Sequence, residues 1–107
     1  MTKQHFFCRL IPPRPTFPRD ITPDEKHLMQ EHARYTHEGF VAGKVLIYGP
    51  VRERGGTFGM AVFEASDEAE VRQFLENDPT VKAGLNRFEI SPMMVGGARG
   101  KQPTEGS

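Results

Sequence analysis

The stretch "TFGMAVFEA", residues 57–65, decides the fold. Successive side chains of a strand point to opposite faces, so Phe58, Met60 and Val62 share one face and Gly59, Ala61 and Phe63 the other. Neither set is polar. A strand that is apolar on both faces belongs to a sheet that is covered on both.

The elements around it say how the first cover is made. Upstream, "AGKVLIYGP" (42–50) reads as a strand closed by Gly49 and Pro50, and "VRERGG" (51–56) as the turn of an antiparallel hairpin. Downstream, Ser66 is expected to cap a helix over "DEAEVRQFLEN" (67–77), with acids in its first turn and Val71, Phe74 and Leu75 as its apolar stripe. "NRFEISPMMV" (86–95) reads as a last strand. "QHFFCRLIPP" (4–13) reads as a first one, with Phe6, Cys8 and Leu10 on one side and His5, Phe7, Arg9 and Ile11 on the other.

Between the first two strands lies a helix with strong start signals. Thr22 is the N-cap candidate, Pro23 takes the first helical position and Glu25 completes a capping box. The helix is expected to run to Glu38 and stop at Gly39, with Leu28, His32 and Tyr35 on its inward stripe. Before it, "PPRPTFPRDITP" (12–23) holds five of the nine prolines. Each proline lacks an amide donor, so this segment is a loop, ordered or partly mobile.

The order strand, helix, strand, strand, helix, strand is the α+β ferredoxin-like βαββαβ pattern, a four-stranded antiparallel sheet with two helices on one face. Two helices leave the other apolar face bare, and a second copy of the chain is the simplest cover. The expectation is therefore a dimeric α/β barrel built from one domain, residues 1–95, with a proline-rich loop at 12–22. The tail, 96–107, has glycine and charge but no apolar period and is expected to be disordered.

Composition excludes several classes of function. Acids and bases balance at 14 each, which leaves no basic footprint for nucleic acid. The single cysteine, Cys8, cannot form an internal disulfide and suits a reducing compartment. No apolar run is long enough for a signal peptide or membrane span, so a soluble cytoplasmic protein is expected. His37 lies five residues after His32, off its helical face, so no metal site is expected. The glycines at 55, 56 and 59 do not open a helix, which makes them turn glycines and not a phosphate loop.

Two residues stand out. His32 shares a stripe with Leu28 and Tyr35, a position that suits a satisfied core histidine as well as a functional one. Asp78, in "ENDPTVKAGL" (76–85), either closes one helix ahead of Pro79 or caps a new short turn that ends at Gly84. A capping carboxylate accepts backbone amides and stays ionised. That makes it a poor base but a good partner for an imidazole.

The segments "EHARYTHEGFVAGKVLIYGPV" (31–51) and "GGTFGMAVFEASDEAEVRQFLENDPTVKAGLNRFEISPM" (55–93) resemble the YCII-related family of small dimeric α/β-barrel proteins. The matching features are a helical His with an aromatic three residues on, the Gly-Pro hairpin entry and the Asp-Pro segment before a strand ending in Ser-Pro. The resemblance spans about residues 4–95. It implies a His-Asp active site, which carries over to His32 and Asp78, and one family member is a dehydrochlorinase of a chlorinated aromatic diol. The proline-rich loop departs from the family pattern.

The expected function is a small cofactor-independent enzyme of lyase or isomerase type. A His32–Asp78 dyad would move a proton on a small organic substrate, aromatic or cyclic. Arg9 and Tyr48 are the candidate substrate contacts, although a surface ion pair explains Arg9 equally well. The alternative is a non-catalytic homodimer that binds a small molecule or serves as an accessory interaction module. Neither reading calls for a cofactor or a metal.

Overall fold

The computed structural model describes residues 3–100. Its elements run β1 (Gln4–Ile11), α1 (Pro23–Val41), β2 (Val45–Glu53), β3 (Gly56–Ala65), α2 (Glu68–Glu76), the single turn α3 (Pro79–Lys82) and β4 (Arg87–Met93). The strands form one antiparallel sheet in the order β2-β3-β1-β4. This is the ferredoxin-like α+β arrangement. The part of the tail at 101–107 lies outside the described residues, and 96–100 contain no helix or strand.

Register decides what each face carries. Cys8 pairs with Ala61 on one side and Ile90 on the other, and Ala61 pairs with Tyr48, so these four residues form one row beneath the helices. Phe6, Cys8, Val45, Ala61, Phe63 and Ala65 of the sheet pack there with Val71 and Leu75 of α2. Burying each large apolar side chain contributes about 1.5–3 kcal/mol. The alternate residues make the opposite face. Phe7 pairs with Val62 and Val62 with Ile47, and Met60 and Phe58 continue the apolar strip along β3. Ile47 is 54% exposed in the single chain.

Start signals in the sequence are realised at α1 and α3. Thr22 Oγ1 accepts from the Glu25 amide at 3.2 Å, and the Glu25 carboxylate accepts from the Thr22 amide at 3.0 Å. Stop signals fare worse. Helix α1 continues past Gly39 to Val41, and the chain turns at Gly43, whose φ of +85° needs a glycine. Gly39 is helical because it packs against α2: a Cβ there would lie 2.7 Å from the Phe74 ring. Strand β2 likewise runs through Pro50 to Glu53. It is an edge strand, where a missing amide costs no ladder bond. At α2 the cap is Asp67, not Ser66; Asp67 accepts from the Glu70 amide, and Glu70 accepts from the Ser66 amide one residue further out.

The proline-rich loop is ordered. Phe17, Arg19 and Ile21 each donate an amide to the carbonyl three residues back, which folds the segment into consecutive turns. Arg14 fastens it. Its guanidinium donates to both Asp20 carboxylate oxygens at 3.0 Å, and to the two Glu25 oxygens at 2.9 and 2.7 Å. The Arg14 hydrogen bond, helped by the Thr22 amide, holds the Glu25 carboxyl down at about 2. No helix among the described residues is long and apolar enough to cross a membrane.

Candidate active site

Asp78 is placed by local chemistry. α2 ends at Glu76 with Asn77 as its C-cap, Asp78 adopts the extended backbone of an N-cap and Pro79 opens α3. Its Oδ1 accepts from the Thr80 amide at 2.8 Å and the Thr80 hydroxyl at 2.6 Å. Its own amide donates to Leu75 O, and its carbonyl accepts from Val81 and Lys82. Asp78 is 2% exposed and Thr80 is fully buried. With Oδ1 committed to the turn, Oδ2 is left to face α1.

There it meets His32, whose Nδ1 lies 2.6 Å away. Burial is the largest single influence on the Asp78 carboxyl and pushes it up. The His32 hydrogen bond and charge, with the two Thr80 bonds, together outweigh burial and hold it below its ordinary 3.8. An ionised carboxylate has no proton to donate, so the hydrogen in the short contact belongs to His32 Nδ1. In the neutral ring Nε2 is then the unprotonated nitrogen. No protein partner for Nε2 is found among the described residues.

His32 and Asp78 stand on the wall of a cavity of about 330 Å³ between the helices and the sheet. This lies at the small end of the range of about 300–1,000 Å³ for small-molecule sites. Most of the lining is apolar, from Leu10, Met29, Ala61, Phe63 and Phe74 among others. Cys8 is also on the wall, but burial, then the nearby Glu68 carboxylate, pushes its thiol up to about 12. It carries no thiolate near neutral pH and is no nucleophile.

The two candidate substrate contacts are placed differently. Tyr48 lines the cavity, and its hydroxyl meets His37 Nδ1 at 2.8 Å, a partnership that helix position alone did not announce. Arg9 reaches the cavity boundary, yet its guanidinium stacks 3.8 Å above the Phe58 ring and lies 3.5 Å from Glu53. Tyr35 donates its hydroxyl to Phe74 O at 2.8 Å and stacks on that ring, a packing role. Sequence reasoning missed Asn86. It is 4% exposed, lies on the cavity wall and donates to Met29 Sδ at 3.5 Å. Read as the start of a strand, it gave no signal of this position. Among the described residues no group of three or more His, Cys, Asp or Glu side chains could hold a metal ion.

Fold and site together define a ferredoxin-like α+β protein with a His-carboxylate contact on the wall of an apolar cavity. The chain belongs to the YCII-related domain family, whose model matches residues 5–94. It is similar in structure to 5-chloro-2-hydroxyhydroquinone dehydrochlorinase (TftG) from Burkholderia phenoliruptrix AC1100, in complex with 2,5-dihydroxybenzoquinone. That likeness has a TM-score of 0.64 and 23% identity over 85% of this chain and 95% of the other. SnoaB, a cofactor-independent oxygenase from Streptomyces nogalater, gives a TM-score of 0.47 and 14% identity over 94% of this chain and 100% of that one. At 23% identity the likeness to the dehydrochlorinase is one of fold. No curated protein matches the sequence.

Proposed function

We propose that the cavity is the active site of a small acid–base enzyme of lyase or isomerase type, acting on a compact hydroxylated ring. The observation that carries this reading is the 2.6 Å contact that leaves His32 Nε2 as a free acceptor on an apolar wall. Nε2 takes a proton from one ring hydroxyl and returns it to the ring carbon that bears the leaving group, which turns that hydroxyl into a carbonyl. Nε2 then takes the proton of a second hydroxyl, whose O–H electron pair becomes a carbonyl bond while the adjoining ring π pair shifts and expels the leaving anion. The proton then passes from Nε2 to water. Asp78 holds the tautomer and stabilises the imidazolium while it lasts, without taking the proton itself. Tyr48 and Asn86 supply polar contacts, and Arg9 supplies a positive charge at the cavity boundary. The ligand named for the dehydrochlorinase structure, a dihydroxylated quinone, belongs to this chemical class.

The test is turnover. Chlorinated and chlorine-free hydroxyphenols are incubated with the protein while chloride release and ring-proton exchange in D2O are followed. Turnover by wild type that disappears in His32→Gln supports the reading, and equal turnover by both proteins sinks it. Binding without turnover in the wild type assigns the cavity to a non-catalytic binding module.

The same reading includes a homodimer. The strip of Phe7, Ile47, Phe58, Met60 and Val62 on the sheet face away from the helices suits burial against a second copy. Light scattering is expected to give twice the chain mass, with Ile47→Glu, at the exposed position of the strip, giving the chain mass. A wild-type monomer at micromolar concentration contradicts the dimer.

A further inference from the structure

The proline-rich loop contributes to the cavity wall the side chain that is hardest to explain as loop packing. Phe17 is 6% exposed although it sits in a segment with four prolines within seven residues, 12–18. It lines the same cavity as His32, together with Pro18 and Ile21. A loop normally runs over the surface and buries little. Here an aromatic ring is buried and the loop that carries it is anchored.

The Phe17 amide donates to Arg14 O at 3.1 Å, which fixes its backbone to the residue that anchors the loop. The Arg14 guanidinium lies 5.5 Å from the Phe17 ring centre and grips Asp20 ahead and Glu25 on α1. On the far side Pro15 abuts the β2–β3 turn, where a Cβ at Gly56 would come within 3.1 Å of Pro15 O. The backbone that carries the ring is therefore tied down at Phe17 itself and at Pro15, with the Arg14 guanidinium beside the ring.

We infer that Phe17 is a specificity-determining residue that limits the size of the ring system admitted beside His32, with Arg14 as the residue that fastens it. This rests on the proposed reading of the cavity as a small-molecule site. An apolar cavity of about 150 Å³ holds one benzene ring. The volume of about 330 Å³ beside His32 therefore takes one or two fused rings and excludes a third. Removing the Phe17 ring adds space for one more.

Phenol, 2-naphthol and 9-phenanthrol test this as one-, two- and three-ring probes, with binding read from NMR shifts of the His32 and Thr80 amides. Wild type is expected to bind 2-naphthol at least tenfold more tightly than 9-phenanthrol. Phe17→Ala is expected to bring the two within threefold, and Phe17→Leu, which keeps a buried apolar side chain, to fall between. Arg14→Gln is expected to relax the selectivity in the same direction while the amide shifts of the sheet stay in place. If both Phe17 variants fold and keep the wild-type ratio, Phe17 is not the size limit and the inference is wrong. If only Arg14→Gln leaves the ratio unchanged, its fastening role is wrong. If none of the proteins binds any of the three phenols, the small-molecule reading of the cavity fails first and takes this inference with it.

Discussion

Asp78→Ala is expected to lower stability by about 2–4 kcal/mol. The cap bond to the Thr80 amide is worth about 0.5–2 kcal/mol. A buried donor left without an acceptor costs about 1–3 kcal/mol, and both the Thr80 amide and its hydroxyl lose theirs. In a domain of this size each kcal/mol shifts Tm by roughly 4–8 °C, so thermal unfolding should fall by roughly 8–30 °C. A drop below about 3 °C would show that the carboxylate is not holding the turn. Acid sensitivity follows from the same bonds. The Asp78 carboxyl is held below 3.8 in the folded chain, so its contribution is complete above that value and is lost as pH falls through the lower folded one. Asp78→Asn has no carboxyl to protonate, and its stability should fall less steeply below pH 3.8 than that of the wild type.

His32→Gln is expected to show the opposite balance, a small loss of stability and a large loss of rate. The His32 side chain is 22% exposed and borders the cavity, so water reaches the space it vacates. Asp78 keeps both Thr80 donors. Stability should fall by about 1–2 kcal/mol, while removal of the proposed general base should slow turnover by about 10²–10⁴-fold. Phenol affinity should stay within threefold, because the apolar wall is untouched. Asp78→Asn should join His32→Gln in the rate measurement. An amide nitrogen facing Nδ1 drives the ring proton to Nε2 and removes the acceptor from the cavity. A full-rate Asp78→Asn enzyme would separate the carboxylate from the chemistry.

What was legible in the sequence was local. Thr22 with Glu25, and Asp78 with Pro79 and Gly84, are helix starts and a stop whose bonds span five residues or fewer, and both are realised. The alternation at 57–65 survives into the register because pairing with β1 and β2 leaves each face as the residues dictate. What failed was punctuation overridden by packing. Gly39 reads as a helix stop, yet only a glycine fits beneath Phe74, thirty-five positions away. Pro50 reads as a strand end, yet it falls on an edge whose amides nothing needs. The meeting of His32 and Asp78 has a separation of 46 residues and could be expected only through the family resemblance. Phe17 was invisible because a proline-rich loop has no period from which burial can be read.

Glu25 belongs to two structures at once. One of its oxygens closes the α1 capping box while also accepting from Arg14, and the other accepts from Arg14 alone. The first turn of the helix and the loop on the cavity wall are therefore expected to open as a single unit, because both are tied through Glu25. In native-state hydrogen exchange the Phe17, Ile21 and Glu25 amides should share one opening free energy, and Arg14→Gln should lower all three together. Unequal shifts would mean that helix and loop open separately. With a shared opening, Phe17 leaves the cavity wall only when the end of the helix frays.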